Sequence, residues 1–455
     1  MFQNKKILVL GAARSGTACC FKLIKLNNEV VLNDSKEESK LDSEKIKELK
    51  ELGVKCVFGS HPNELLDETF DYVIKNPGIR NDHKYVLKAN ELNIPVINEV
   101  EFAYHLLPKV KLIAITGTNG KTTTTTLTYN ILKNYYGERV KLAGNIGYPL
   151  TSILDSLKEN DILVMEISCQ QLANLDKFKP DIALLTNLSP AHIDFFGDYD
   201  TYKKVKAKLF KNQTKDDIAI INEDNLDSLE ETKNILSQKF YFSLEKKTDA
   251  CYLNNNLIYQ DEIIMNRNMM FLKGNHNVSN ALGAITIAKI LNVPNQNIRE
   301  VLESFRGVEH RLELVDIVND RKFYNDTEAT NIKCTQIALS AFKEPIILFL
   351  GGLERGQKFE DLTPYMQNVK LILGIGECRE RVLEYGNSLG IKTIIHEHLK
   401  DAFKDAYSNS LENDVILLSP ASASWDQYKE CEERGAEFKK LVGDLKNESI
   451  KKSYL

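Results

Sequence analysis

The sequence lacks the marks of an oxidising compartment, a polyanion partner or a membrane. Its 8 cysteines include no C-x-x-C pair, and Cys19 and Cys20 are adjacent. Such spacing suits neither a disulfide framework nor a structural zinc site, and a reducing, cytoplasmic setting is expected. Positive charge is not in excess: 59 Lys and Arg stand against 64 Asp and Glu, a net charge of −5. That balance gives no electrostatic case for nucleic acid or for stable attachment to an anionic membrane. Apolar runs long enough to span a bilayer are missing, and the strand-like stretch 7–10 is too short for a signal peptide. Low-complexity tracts and short-period repeats are also missing, one threonine run aside.

The residues present describe a large α/β protein. With 455 residues, 43% of them hydrophobic, the chain has material for roughly three domains of ~150 residues each. Short apolar runs alternate with helical segments, the pattern of parallel, doubly wound sheets. In the first block, 7–10, 30–32, 54–58 and 72–74 read as strands, with 17–26 and 43–52 as helices. In the second, 111–115, 163–167, 182–186 and 218–222 are strands, followed by an irregular β region at 240–242, 251–259 and 269–272 and a helix at 277–291. The third repeats the rhythm at 346–350, 371–375, 393–395 and 415–418. Domain boundaries are expected at 1–99, 100–307 and 308–455.

The segment Ile113-Ala-Ile-Thr-Gly-Thr-Asn-Gly-Lys-Thr-Thr-Thr-Thr-Thr126 carries the most chemistry. An apolar strand runs into a glycine loop, Gly117-Thr118-Asn119-Gly120, and then a lysine and hydroxyls that open a helix. Backbone N–H groups of such a loop, with the helix's positive end, hold a phosphate tail. Lys121 would reach the terminal phosphates and Thr122, followed by Thr123, would sit on Mg²⁺. ATP binding is the expectation, although Ile115 stands where the usual phosphate-loop spacing has glycine. Glu166 ends a strand and His192 follows another, so the pair could hold Mg²⁺ beside the loop. Lys203, Lys204, Lys206 and Lys208 fall on an amphipathic helix over 202–210, whose plain reading is a solvated basic face.

Two other loop sets stand out. Gly11-Ala-Ala-Arg-Ser-Gly16 keeps two glycines of a dinucleotide fingerprint, Asp34 lies where a ribose-binding acid would, and Asn76-Pro-Gly78-Ile79 turns at another strand end. In the third block, polar loops at 324–331, 351–356 and 418–427 follow three strands and bring Arg355 and the single tryptophan, Trp425. Their hydroxyls, amides and guanidinium suit a small carboxylate-bearing ligand.

Taken together, Thr116-Gly-Thr-Asn-Gly-Lys-Thr122, Gly144-Asn-Ile-Gly147, Gly274-Asn-His-Asn277 with Asn280, His310-Arg311, Asn325-Asp326 with Ala329-Thr-Asn331, and the 418–427 segment resemble the Mur ligases of peptidoglycan synthesis. The resemblance runs essentially end to end and is nearest to the branch that adds D-glutamate. It implies a Rossmann-like N-terminal domain, a phosphate-loop central ATPase domain and a Rossmann-like C-terminal domain, working as a monomer. It further implies ATP and two Mg²⁺ ions, with UDP-N-acetylmuramoyl-L-alanine (UDP-MurNAc-L-Ala) and D-glutamate as substrates. By that resemblance, Lys121 and Thr122 hold phosphates and one Mg²⁺ with Glu166, His192 binds a second, and Lys208 carries a carbamate. Ser15, Asp34, Ser35, Lys36, Asn76 and Gly78 would meet the UDP moiety, and Asn145 the muramoyl part. Asn277, Asn280, Arg311 and Asp326 would serve the nucleotide, and Thr330, Arg355, Ser419 and Trp425 the D-glutamate. Glu328 departs from the family, which has lysine there, and Arg355 replaces a lysine found in many members. Three alternatives stay open at this point: another Mur-type or folylpolyglutamate-type ligase, a dinucleotide-dependent oxidoreductase, and a nucleotide-binding module without catalysis.

Overall fold

Continuous apolar runs favour strands buried on both faces, and the computed structural model, which describes residues 1–453, arranges them in three mainly parallel sheets. The chain forms two compact units, Met1–Phe305 and a second that begins at Arg306.

The first unit holds two sheets. One comprises β1 (Lys6–Leu10), β2 (Glu29–Asp34), β3 (Lys55–Phe58), β4 (Tyr72–Lys75) and β5 (Val96–Asn98), in the order β3-β2-β1-β4-β5 with every pair parallel. Alternate residues of β1 serve opposite faces: Ile7 and Val9 pack with Cys19 and Leu23, Leu8 and Leu10 with Tyr85 and Ala89. The strand order reverses between β1 and β4, so the loops after them open side by side at a switch point.

A helix, Glu99–Tyr104, follows β5 directly and leads through residues 105–110 to the second sheet. The buried Glu99 Oε1 accepts from the Thr151 N–H at 2.6 Å and hydroxyl at 2.7 Å. Glu101 accepts from the N–H groups of Asp176, Lys177 and Phe178. The boundary expected at 99/100 thus falls inside a helix held on both sides.

The second sheet comprises β6 (Lys111–Thr116), β7 (Val140–Gly144), β8 (Ile162–Glu166), β9 (Ile182–Leu185), β10 (Ile218–Asn222), β11 (Gln238–Ser243), β12 (Ala250–Leu253), β13 (Asn256–Tyr259) and β14 (Glu262–Asn266). Its order is β14-β13-β12-β11-β10-β9-β6-β8-β7, with only the β12-β13-β14 end antiparallel. Within the irregular β region expected here, 251–259 forms a hairpin, because Asn254 and Asn255 both take left-handed backbone (φ 49° and 61°) as a two-residue turn requires. Residues 269–272 form no strand; a 3₁₀ turn, Arg267–Met269, ends that edge.

The second unit holds β15 (Glu313–Val318), β16 (Arg321–Asn325), β17 (Ile346–Gly351), β18 (Val369–Ile375), β19 (Lys392–Ile395) and β20 (Val415–Leu418), ordered β15-β16-β20-β17-β18-β19. Only β15 runs antiparallel to its neighbour. Because β16, β20 and β17 are adjacent, the three polar loops that follow them open at one edge.

Candidate active site

At the first sheet's switch point, the Asp34 carboxylate accepts the Ala12 N–H at 2.8 Å and the Lys36 N–H at 2.9 Å. Asn76 Nδ2 donates to Ser15 Oγ at 3.0 Å, and its Oδ1 accepts the Gly78 N–H at 2.9 Å. The structure therefore gathers Ser15, Asp34, Asn76 and Gly78 around one corner, with Ser35 and Lys36 exposed beside it. Beneath it lies a residue no sequence signal marked: Lys75 is buried, donates to the Ile79 carbonyl at 2.6 Å and closes the turn. Burial lowers its pKa to about 8.

The phosphate loop follows β6. Gly117 and Gly120 have φ of 149° and 78°, and a Cβ would collide with Thr186 Oγ1 at the first and Asn280 Oδ1 at the second. Glycine is therefore required at both positions. The loop is tied to β9's end by Thr118 N–H to the Asn187 carbonyl (2.8 Å) and Thr186 Oγ1 to the Asn119 carbonyl (2.6 Å). The helix Lys121–Tyr136 opens on Gly120, which has no side chain to cap it, so its first N–H groups suit an anion. Lys121 Nζ rests on the Thr118 carbonyl at 2.8 Å. Thr122 and Thr123 line the open first turn, whereas Thr124, Thr125 and Thr128 are buried. Thr124 donates to Asn280 Oδ1 at 3.3 Å, and Asn280 Nδ2 reaches Asn277 Oδ1 at 3.4 Å, which brings both asparagines to the loop.

Glu166 is 1% exposed at the end of β8. Its Oε1 accepts from Asn145 Nδ2 at 2.7 Å, while Oε2 is buried and finds no hydrogen-bond partner among the described residues. A buried carboxylate oxygen without a donor is costly, and a cation would remove that cost, so these residues fit Mg²⁺. His192, past β9, is exposed with left-handed φ of 53°, and its ring lies 6.3 Å from that of Tyr202.

The lysine helix corrects one expectation. The α-helix covers Tyr199–Ala207 and then tightens into a 3₁₀ turn, Lys208–Phe210. Lys208, half-buried, donates to the Ala173 carbonyl at 2.9 Å and does not reach the phosphate loop. Lys206 does. It is 1% exposed and donates to Thr116 Oγ1 at 3.0 Å and the Gly117 carbonyl at 2.8 Å. Burial, and then the charge of Lys121, lower its pKa to about 7. A usable signal was present: Lys206 is four residues from Tyr202, and the two share the buried face of the helix.

In the second unit, Asp326 Oδ1 accepts the Leu312 N–H at 3.0 Å and Oδ2 the Ser419 hydroxyl at 2.7 Å. Ser419 is fully buried and also meets Thr335 Oγ1 at 3.1 Å, so its hydroxyl serves the interior rather than a ligand. Two groups that sequence reasoning passed over are better placed to receive one. Ser424 Oγ and Arg434 Nη1 are buried without a hydrogen-bond partner among the described residues. The rest of the Arg434 guanidinium is held by Thr327 Oγ1 at 3.0 Å and by the Thr327 and Ser422 carbonyls at 3.1 Å. Arg355 lies over the Trp425 ring at 4.6 Å, both exposed. Thr330 donates its N–H to the Glu328 carbonyl at 2.8 Å, and the Glu328 side chain pairs with Arg311 at 3.5 Å.

Burial raises the pKa of Asp326 to about 6. From the ordinary carboxylate range up to that value, the folded chain keeps a proton that the unfolded chain has lost. Stability therefore falls as pH rises through this window and stays lower above it. Asp326→Asn should raise the second unit's stability at pH 7.5 by on the order of 3 kcal/mol. The gain should fade as pH is lowered from 6 towards 4. Calorimetry across that range checks this, and a pH-independent difference would contradict the burial cost assigned to the carboxylate.

A glycine–lysine–threonine loop off a parallel sheet and a buried carboxylate beside it define a nucleotide-dependent enzyme of the phosphate-loop class. Residues 115–288 match the Mur ligase middle domain and residues 5–98 the Mur ligase MurD-like N-terminal domain. The chain is 43% identical to the UDP-N-acetylmuramoylalanine–D-glutamate ligase of Bacillus cereus over 98% of both chains. It is 44% identical to that of Geobacillus kaustophilus, over 98% of this chain and 99% of the relative. In fold it is similar to the UDP-N-acetylmuramate–alanine ligase MurC of Thermotoga maritima (TM-score 0.56, 19% identity, 97% and 99% of the two chains). It is likewise similar to MurF of Acinetobacter baumannii (TM-score 0.53, 16% identity, 97% and 93%). The chain belongs to the Mur ligase family, and is thus a ligase of a family that forms amide bonds using ATP with Mg²⁺. Among the described residues, no helix is long and apolar enough to cross a membrane.

Proposed function

We propose that this ligase joins D-glutamate to the L-alanyl carboxyl of UDP-MurNAc-L-Ala in cytoplasmic peptidoglycan precursor synthesis, acting as a monomer. The carrying observation is the end-to-end likeness, 42–44% identical, to relatives that bear this activity in their names. A carboxylate is a poor acyl donor because its leaving group would be oxide. Attack of the L-alanyl carboxylate on the γ-phosphorus of ATP releases ADP and leaves an acyl phosphate. The D-glutamate amine then attacks that carbonyl, phosphate departs, and the amine gives up a proton.

In this scheme the 117–120 N–H groups and Lys121 hold and neutralise the phosphates, with Asn277 and Asn280 on the nucleotide side. Thr122, Glu166 and His192 would hold Mg²⁺, which spreads the charge that builds on phosphate oxygens. Ser15, the 34–36 segment and the 76–78 turn take the UDP end, and Asn145 the muramoyl part. Thr330, Arg355, Ser424 and Trp425 take D-glutamate. Lys206, rather than Lys208, is the lysine for a carbamate. Its neutral amine attacks CO₂, a C–N bond forms and one proton leaves, so a buried cation becomes a buried carboxylate beside the loop.

Phosphate release from Mg-ATP with UDP-MurNAc-L-Ala tests the reading. It should require D-glutamate, and L-glutamate, D-alanine or L-lysine should not replace it. Release driven by another amino acid would keep the ligase and discard this substrate. Glu328→Lys breaks a partly exposed ion pair worth less than about 1 kcal/mol. With D-glutamate, its kcat and KM should stay within about threefold of the parent chain's. Full loss of turnover in a folded variant would place Glu328 among the amino-acid contacts instead.

A further inference from the structure

Four asparagines with unspent side chains meet at one cleft of the first unit. Asn81, Asn90 and Asn93 belong to the helix Lys84–Glu91 and its flanks, and Asn174 ends the short helix Cys169–Ala173. With Val86 and Pro95 among the other lining residues, they bound a cleft of about 420 Å³. Its two sides are held together nearby: the buried Asn98 donates from Nδ2 to the Gln171 carbonyl at 2.5 Å. Lys208, donating to the Ala173 carbonyl at 2.9 Å, secures the helix that Asn174 ends.

Carboxamides such as those of Asn98 and Asn145 are tied into the chain. At the cleft, none of the four makes a side-chain hydrogen bond among the described residues. Asn174 Oδ1 is moreover buried. A buried acceptor without a donor is costly, and a ligand's N–H would remove that cost. The terminal torsion of asparagine is soft, so a small turn brings Oδ1 to the cleft. No charged side chain lines the space. An ammonium would find no carboxylate there and an anion no cation, so the chemistry selects a neutral ligand. Each carboxamide offers two N–H donors and an acceptor oxygen in one plane. Such groups match the neighbouring hydroxyls of a sugar and both ends of an acetamido group. Val86 and Pro95 supply apolar surface for the C–H face of the ring, and the volume is that of a small-molecule site, roughly 300–1,000 Å³.

We propose that this cleft is a binding site, separate from the reaction centre, for a neutral sugar ring that carries an acetamido group. Asn174 Oδ1 receives the acetamido N–H, and the exposed Asn81 and Asn90 hold hydroxyls. The site does not depend on which amino acid the ligase adds.

The test is saturation-transfer NMR and calorimetry on the full chain with the methyl β-glycoside of N-acetylglucosamine, beside methyl β-glucoside, which lacks the acetamido group. The first should bind with Kd about 1 mM, the scale open to a ligand of this size, and the second at least about fivefold more weakly. Asn81→Ala with Asn90→Ala, both exposed, should weaken binding about tenfold and leave phosphate release unchanged. Asn174→Ala should weaken it comparably without lowering the melting temperature, since the orphaned oxygen goes with the side chain. Asn93 is kept, because its left-handed backbone (φ 55°) favours asparagine. Absence of binding, equal binding of the two glycosides, undiminished binding by these variants, or displacement of the glycoside by UDP-MurNAc-L-Ala would each overturn the site.

Discussion

Replacing Lys206 with glutamine should lower D-glutamate-dependent phosphate release by about three orders of magnitude, whereas Lys208→Ala should stay within a few-fold of the parent chain. The two lysines are two residues apart but belong to different environments. Lys208 is half-buried against the end of a neighbouring helix, while Lys206 is enclosed beneath the phosphate loop with a pKa lowered to about 7. An ammonium there is disfavoured by burial and by Lys121, so a large fraction of the amine is neutral near physiological pH and open to CO₂. Glutamine retains donors for Thr116 Oγ1 and the Gly117 carbonyl, which alanine would strand at a cost of about 1–3 kcal/mol each. It thus separates a chemical defect from a folding defect. Protein equilibrated with ¹³C-bicarbonate should show a carbamate carbonyl resonance that survives Lys208→Ala and disappears in Lys206→Gln. An active Lys206→Gln, or a resonance that follows Lys208, would return the role to the neighbouring residue.

The position of that lysine shows how far local pattern reaches. Strand positions were legible because runs such as 113–115 and 163–165 are apolar at every residue, which only burial on both faces explains. The phosphate loop was legible because glycine, lysine and threonine at that spacing have few other uses. Lys206 was not singled out, since four lysines within six residues look like a solvated face unless Tyr202 is first recognised as core. Ser419 shows a different limit. A serine after a strand suggests a ligand loop, but the buried Asp326 claims its hydroxyl. Partners 93 residues apart leave no local trace. The orphaned Ser424 and Arg434 atoms were out of reach for the same reason, because an unsatisfied buried group is a property of packing and not of composition.

Glu166→Gln should move activity and stability in opposite directions. Its amide oxygen can keep the Asn145 contact, so the volume and one hydrogen bond survive. The amide nitrogen then replaces Oε2, putting N–H donors where a cation would bind. Turnover should fall by about two to three orders of magnitude, the scale set by losing a directly placed electrostatic partner of the phosphates. In metal-free buffer the variant should melt no lower than the parent chain and, if anything, higher, because a buried carboxylate oxygen without a partner has been removed. Mg²⁺ supplies the decisive readout, independent of catalysis. An ion held by the folded state alone raises the melting temperature with the logarithm of its concentration once that exceeds its dissociation constant, so the parent chain should gain stability as Mg²⁺ is added and Glu166→Gln should gain little. The buried orphan would then be a local instability retained for its chemistry, offset when the ion arrives. A variant that still responded to Mg²⁺ as the parent does would show that the ion is held elsewhere, and that Oε2 owes its isolation to packing alone.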